Sequence, residues 1–201
     1  VYAESSEGKF KKVALEVTSY GKNIAEQLGT NLVVLTINVD NSSELNTYGA
    51  EKVLAVKNDT LQSLNSKVVA DVIKQSAEKE SATVVIIDSS ANGIALAPIV
   101  AVNLNAGYAS NTVALPSSTS PFTVKRKAFS SKGFNFTEIK TDVKVIGLAK
   151  NSFGLVENSV SSSTEDFSPS LIESGVKSTS IDRTTGTVTI ADAEIVVSAG
   201  R

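Results

Sequence analysis

The stretch from Asn31 to Val39, NLVVLTINV, is too continuously apolar for a strand that has one face in water. A second run of this kind, TVVII, extends from Thr83 to Ile87. Strands that are apolar on both faces occur in parallel sheets that helices cover on both sides. These two runs therefore predict that the chain folds around a buried, mostly parallel sheet.

Segments with helical spacing of apolar residues lie before and between the predicted strands. Apolar residues recur at helical spacing from Lys9 to Leu28, and Gly29 stands where a C-terminal cap belongs. A second helix face is predicted between Leu64 and Ala77. The third helix, Gly93 to Asn105, is almost entirely apolar and contains Pro98, which we expect either to kink it or to lie in its first turn.

Further strands are predicted at Glu51–Val56 and Ala109–Leu115, so strand and helix alternate along the first part of the chain. Three shorter segments of alternating polarity follow, at Phe122–Ser130, Phe134–Lys140 and Asp142–Ala149. The predicted fold class is α/β: a three-layer, mostly parallel sheet with helices on both faces and an antiparallel meander at one edge.

The chain divides into three predicted regions. Residues 1–150 form the α/β domain, and residues 151–190 form a linker with a hairpin turn at DRTTG. Residues 191–201 contain AEIVVSAGR, which we interpret as the first strand of a second domain. Because chains rarely end on the small-residue turn after a buried strand, we expect the chain to be a piece of a longer protein.

Composition excludes several classes of function. The 201 residues carry a net charge of -2, which provides no basic surface for nucleic acid and no polybasic membrane anchor. The chain has no Cys and no His, so disulfides, common zinc sites and Ser-His-Asp triads are impossible. No apolar stretch approaches the roughly 20 residues of a membrane span.

The segment IIDSSANG is a candidate ligand site, because ligands of open α/β sheets bind beyond the carboxyl ends of strands. Asp88, Ser89 and Ser90 offer groups to a ribose or a phosphate. The alternative, which we favour, is that one of them caps the following helix. No G-x-G-x-x-G or Walker motif accompanies the segment.

Two charged clusters have ordinary explanations. Lys125, Lys127 and Lys132 could pair with an anion, but lysines on an edge strand also discourage aggregation. Arg126 lies between two of them and is predicted to point to the opposite face, where it needs a partner. The acidic run STEDF, Ser163 to Phe167, is either a docking surface or, as we favour, a solvated linker.

Gly200 and Arg201 end the chain on a strand, a small-residue turn and a guanidinium group. This order places Arg201 at the carboxyl end of a parallel sheet, where a dinucleotide pyrophosphate would lie. An arginine that only meets solvent explains the same residues equally well.

Four stretches, VYAE, YGAEKVLAV, GIALAPIVAVNLNAGYASNTVAL and AEIVVSAGR, resemble the α subunit of electron-transfer flavoprotein. The resemblance implies an amino-terminal domain that has no cofactor of its own and packs against a β subunit. It also implies that a carboxyl-terminal domain provides most FAD contacts, and Arg201 matches a FAD-contacting arginine of the family. Where the family commonly has a basic residue and an arginine in the third helix, this chain has Ile94 and Ile99.

The implied function is electron transfer rather than enzymatic catalysis. The full-length heterodimer would carry FAD, absent from this piece, between acyl-CoA dehydrogenases of fatty acid β-oxidation and a flavoprotein-quinone oxidoreductase. The expected compartment is a bacterial cytoplasm, or the mitochondrial matrix if the source is eukaryotic. The alternative hypothesis is a stand-alone adenine-nucleotide-binding module that uses Asp88 and Ser89.

Overall fold

The computed structural model of the chain describes residues 1–176, 178–180, 190, 193 and 195–200. Residues 1–3, the opening segment, are extended and precede the named elements. The elements are, in chain order, β1 (Ser5–Ser6), β2 (Lys9–Phe10), α1 (Lys12–Leu28), β3 (Val33–Ile37), β4 (Lys52–Val56), α2 (Ser66–Lys79), β5 (Val84–Asp88), α3 (Ala91–Asn103), β6 (Gly107–Thr112), β7 (Ser118–Thr119), β8 (Phe122–Ala128), β9 (Gly133–Glu138), β10 (Lys144–Leu148) and β11 (Ser163–Asp166).

The strands form two larger groups. In the first group, β4 pairs in parallel with β3 on one side and with β11 on the other. In the second group, β10 lies between β5 and β6 and is parallel to both. Beyond β6, the antiparallel strand β8 follows, and β7 and β9 both pair with it.

The opening segment connects the two groups. The amide of Leu35 in β3 donates to the carbonyl oxygen of Val1 at 2.8 Å, and the amide of Ala3 donates to Leu35 at 3.0 Å. On the other side, the amide of Tyr2 donates to the carbonyl oxygen of Ile86 in β5 at 3.0 Å. Backbone hydrogen bonds therefore continue from β3 through residues 1–3 to β5.

Alternation along the strands assigns each face of the sheet to its helices. Val85 and Ile87 of β5 belong to the core that includes α2 and α3. Ile86 lies on the opposite face, in the core that includes Val17 and Tyr20 of α1. The predicted three-layer fold class, with a largely parallel sheet and an antiparallel edge, is confirmed.

The prediction was wrong about one strand. The sequence placed Asp142–Ala149 in the antiparallel meander, whereas β10 is a central strand with parallel neighbours on both sides. Val145, Ile146 and Leu148 are completely buried, so both faces of β10 are covered. Polar residues precede the apolar stretch VIGLA, so the beginning of the segment has the alternating pattern of an edge strand. This pattern concealed the apolar character of β10.

The predicted C-terminal cap of α1 is confirmed, whereas the helix begins at Lys12 rather than at Lys9, because Lys9 and Phe10 form β2. Gly29 caps α1 in the left-handed conformation, with φ of 65°, and its amide donates to Glu26 at 3.2 Å. Pro98 lies in the interior of α3, which excludes its predicted first-turn position.

Residues 151–160, here called the clasp, cross the outer face of α1. The amides of Asn151, Phe153 and Gly154 donate to the two carboxylate oxygens of Glu16 at 2.8–2.9 Å. The Ser19 hydroxyl exchanges two hydrogen bonds with the backbone of Val156, each 3.2 Å long. The clasp explains why Glu16 and Ser19 are buried on a helix face that would otherwise meet solvent.

The acidic run after the clasp is a strand rather than the solvated linker that we favoured. Within this run, β11 adds to the outer edge of β4. Glu165 accepts hydrogen bonds from Lys52 at 2.8 Å and Lys79 at 2.9 Å. The hairpin predicted at DRTTG lies outside the described residues, and the division into domains stays a prediction.

Replacing Glu16 with Gln should destabilise the clasp, because an amide nitrogen would face backbone N–H groups that now share a carboxylate. A buried donor left without a partner costs about 1–3 kcal/mol, and we expect a loss of this size in the free energy of unfolding. Urea unfolding and amide hydrogen exchange at Phe153 would measure it. The control E78Q alters an exposed pair with Lys74 and should change stability by less than about 0.5 kcal/mol; equal losses would contradict the role of Glu16.

Acid should weaken the attachment of β11. Hydrogen bonds from Lys52 and then Lys79 lower the pKa of Glu165 from 4.5 to about 2. Because the pKa is lower in the folded state, the contact contributes fully above pH 4.5 and is lost as pH falls towards 2. The unfolding free energy of wild type minus that of E165Q should therefore be constant above pH 4.5 and shrink below it. A difference that does not vary with pH would contradict this assignment.

Candidate functional site

A cleft of about 1210 Å³ opens beyond the carboxyl ends of the opening segment and β3. From the opening segment the chain continues through α1 to β3, whereas from β5 it continues through α3 to β6 in the other direction. The two connections diverge here, and such a point is the usual ligand site of open α/β sheets. The cleft is therefore the first place to look for a ligand.

The charged side chains that line the cleft are mostly acidic. They are Glu4, Glu7, Asp40 and Asp59, with Lys11 as the cation among them. A phosphate group would meet four carboxylates and one ammonium group here. This charge does not suit a nucleotide phosphate.

Ser90 caps α3, as the favoured alternative for this segment predicts. Its hydroxyl oxygen accepts from the Gly93 amide at 3.1 Å. Asp88, which is only 2% exposed, accepts from the Ser90 amide at 2.6 Å. These two side chains occupy the donors that a phosphate would use at the start of α3.

Glu4 stands beside the same helix end. Its carboxylate accepts a hydrogen bond from the side-chain amide of Asn92. Burial raises the pKa of Glu4, the hydrogen bond from Asn92 opposes that shift, and nearby Asp88 adds to it. A carboxylate thus faces the position where a bound phosphate would lie, which argues against the nucleotide-module hypothesis.

Gly93 is required by the packing at this point. A Cβ atom at position 93 would overlap the carbonyl oxygen of Asp88. The sequence motif SSANG therefore reflects a close approach between α3 and the end of β5 as much as it reflects a cap.

The basic cluster divides between two environments. The ammonium group of Lys125 lies 4.5 Å from the ring centre of Phe134 on the neighbouring strand. Arg126 is half-buried and donates from Nη2 to the Ser110 hydroxyl at 3.0 Å. Lys125 and Arg126 therefore point to opposite faces of β8, as predicted, and the hydrogen-bond partner of Arg126 is a hydroxyl group.

Phe129, Phe134 and Phe136, here called the aromatic patch, were missed as a candidate site. They are 82%, 59% and 64% exposed and lie on the β8–β9 hairpin. Phe134 and Phe136 are two residues apart on β9, so they share one face of it. The sequence FNF shows that Phe134 and Phe136 alternate with a polar residue. It does not show whether another part of the protein covers their face of the strand.

Arg201, the one residue predicted to contact FAD, lies outside the described residues, so its role stays a prediction. Its neighbour Gly200 is exposed, as are Ile195, Val196 and Val197. Within the described ranges, no helix has both the length and the apolar character needed to cross a membrane. The same residues contain no group of three or more His, Cys, Asp or Glu side chains that could hold a metal ion.

Comparison with known proteins identifies relatives over most of the chain. A sequence profile of the electron transfer flavoprotein domain matches residues 1–171. The electron transfer flavoprotein subunit alpha of Clostridium acetobutylicum is 33% identical over 118 residues, which cover 57% of this chain and 35% of that protein. The same subunit of Thermoanaerobacterium thermosaccharolyticum is 25% identical over 213 aligned positions, which cover 100% of this chain and 64% of that protein.

A third relative is the acryloyl-CoA reductase electron transfer subunit beta of Anaerotignum propionicum. It is 28% identical over 110 residues, which cover 53% of this chain and 30% of that protein. In these three comparisons, the matched region spans between 30% and 64% of the relative's length.

Replacing Gly93 with Ala should displace the start of α3 from the end of β5. Forcing a methyl group into a packed contact costs about 1–3 kcal/mol, and we expect a loss of that size in the free energy of unfolding. The control G133A adds a methyl group where no atom lies within 4 Å and should be nearly neutral. Urea unfolding of both variants tests this, and equal stability would show that α3 can move without cost.

Proposed function

Because the chain belongs to the electron transfer flavoprotein domain family, we propose that it forms the amino-terminal part of the α subunit of a heterodimeric electron carrier. Relatives that carry the name electron transfer flavoprotein subunit alpha support this proposal. In this proposal the chain is a carrier subunit and not an enzyme, and its contribution is structural: a scaffold and an interface for a β subunit.

The observation that supports an interface role best is the aromatic patch. Three phenylalanine side chains, each more than half exposed, project from one hairpin. Exposed apolar patches mark interaction sites on soluble proteins, and aromatic residues are enriched at protein–protein interfaces. Lys125 and Lys132, which lie near the rings of Phe134 and Phe129, would give this contact a basic rim.

FAD does not fit the acidic cleft. The cleft at the diverging connections is where a dinucleotide would place its pyrophosphate, and four acidic side chains line it. We therefore propose that FAD is held by a further carboxyl-terminal domain together with the β subunit, with Arg201 as this chain's contact. When bound, FAD would supply the redox chemistry, and this chain would contribute to the protein scaffold around the cofactor.

The proposed electron donors are acyl-CoA dehydrogenases, and the proposed acceptor is a flavoprotein-quinone oxidoreductase. A relative whose name refers to acryloyl-CoA reductase favours a donor or acceptor that acts on acyl-CoA thioesters. The relatives are bacterial, which supports a location in the bacterial cytoplasm.

The function is tested by co-expressing the full-length protein with the β subunit of the same organism and recording the visible absorption spectrum. The proposal expects a flavin spectrum in the purified complex and none in the 201-residue chain alone. A colourless complex, or the absence of a complex, would contradict the electron-carrier role.

The interface is tested separately with F134S and F136S. Truncating a buried aromatic contact typically costs more than 1 kcal/mol, so each variant should weaken binding to the β subunit by about tenfold. V176S, which also removes an exposed apolar side chain, should leave affinity unchanged. Thermal melting should be nearly the same for all three variants, and unchanged affinity of F134S and F136S would place the interface elsewhere.

A further inference from the structure

The hydroxyl groups of Ser89 and Tyr108 meet over Gly147, on the side of β5 away from the acidic cleft. A Cβ atom at Gly147 would lie 3.0 Å from the Ser89 hydroxyl, 3.1 Å from the Tyr108 hydroxyl and 3.4 Å from the Cα atom of Ser110. These residues follow β5 or lie on β6, and Gly147 is the penultimate residue of β10. Position 147 has little room for a side chain, so residues of β6 and the residue after β5 pack closely against the backbone of β10.

The guanidinium group of Arg126 joins this cluster through Ser110. Its Nη2 atom donates to the Ser110 hydroxyl at 3.0 Å, and its charge acts on the Tyr108 hydroxyl. Its Nε atom is buried and has no hydrogen-bond partner, and among the described residues no carboxylate lies within ion-pair distance of it. A buried N–H group of a charged side chain is costly to leave unpaired.

Two hydroxyl groups in this part of the sheet are also without partners. Ser89 Oγ and Thr112 Oγ1 are buried and make no hydrogen bond, and Thr112 is paired in register with Arg126 across β6 and β8. The cluster thus combines one positive charge with an unpaired N–H group and unpaired hydroxyl groups, which can also donate. The group that complements such a set is an acceptor with several lone pairs and a negative charge.

We propose that Arg126, with the hydroxyl groups of Ser89, Tyr108 and Ser110, binds a small oxyanion, either a phosphate or a carboxylate group, at the carboxyl ends of β5, β6 and β10. Arg126 provides the charge and two N–H groups in a fixed fork, and the hydroxyls orient the remaining oxygens. Burial raises the pKa of Tyr108 although Arg126 opposes the shift, so its hydroxyl stays a donor at neutral pH. The four residues are half-buried.

The chain's arginine content makes a direct test possible. The sequence contains three arginines, Arg126, Arg183 and Arg201, so a protein labelled with ¹⁵N-arginine gives three Nε–H signals. The spectrum of R126K identifies the Arg126 signal. Inorganic phosphate and acetate are then titrated separately into the 201-residue chain at constant ionic strength, with chloride as the reference salt.

We expect the Arg126 Nε–H signal to shift and saturate with one of the two anions, and chloride to have no such effect. Tighter binding of phosphate identifies a phosphate group as the ligand, and tighter binding of acetate identifies a carboxylate. S89A should weaken the binding at least about fivefold through the loss of one hydrogen bond to the anion. K127Q, which removes the adjacent charge on β8, should leave it unchanged.

A linear, unsaturated response of Arg126 to both anions would overturn the proposal. Equal weakening by K127Q and S89A would also overturn it, because it would show attraction by surface charge alone. Neither result bears on the β subunit or on FAD, so the oxyanion site and the electron-carrier role fail independently.

Discussion

The backbone hydrogen bonds of residues 1–3 hold the two halves of the sheet together. Without them, β3, β4 and β11 would form one small parallel sheet, and β5, β10 and β6 would form another. Tyr2 bonds to β5 while Val1 and Ala3 bond to β3, so these residues satisfy polar groups of both neighbours. Each sheet half would otherwise present an unpaired edge in the middle of the molecule.

The rest of the structure depends on this junction. The chain continues from the opening segment through β1 and β2 into α1, which covers one face of the sheet. The clasp covers the outer side of α1 through Glu16 and Ser19. The acidic cleft lies at this junction because the connection from the opening segment to β3 and the connection from β5 to β6 run in opposite directions. The hydroxyl groups of Ser89, Tyr108 and Ser110 lie on the other side of β5. Groups of opposite charge therefore lie on the two sides of β5: Glu4 beside the opening segment, and Arg126 on β8, beyond β10 and β6.

Structural features that depend on neighbouring residues could be predicted from the sequence. The cap at Gly29, the cap at Ser90 and the buried strands β3 and β5 all follow from short-range patterns. Contacts between distant residues could not be predicted in this way: the clasp joins Glu16 to amides more than 130 positions away, and β10 is inserted between strands that precede it in sequence. The acidic run that forms β11 contains almost no apolar residues, so its pattern favoured a linker although backbone pairing and Lys52 hold it as a strand.

The most direct test of this account is amide hydrogen exchange at Tyr2 and Ala3 in the 201-residue chain. If residues 1–3 are an internal strand of one continuous sheet, these two amides should be protected nearly as strongly as the amide of Leu35 in β3. Exchange of Tyr2 and Ala3 as fast as that of an exposed hairpin residue such as Ser130, while Leu35 stays protected, would contradict a continuous sheet.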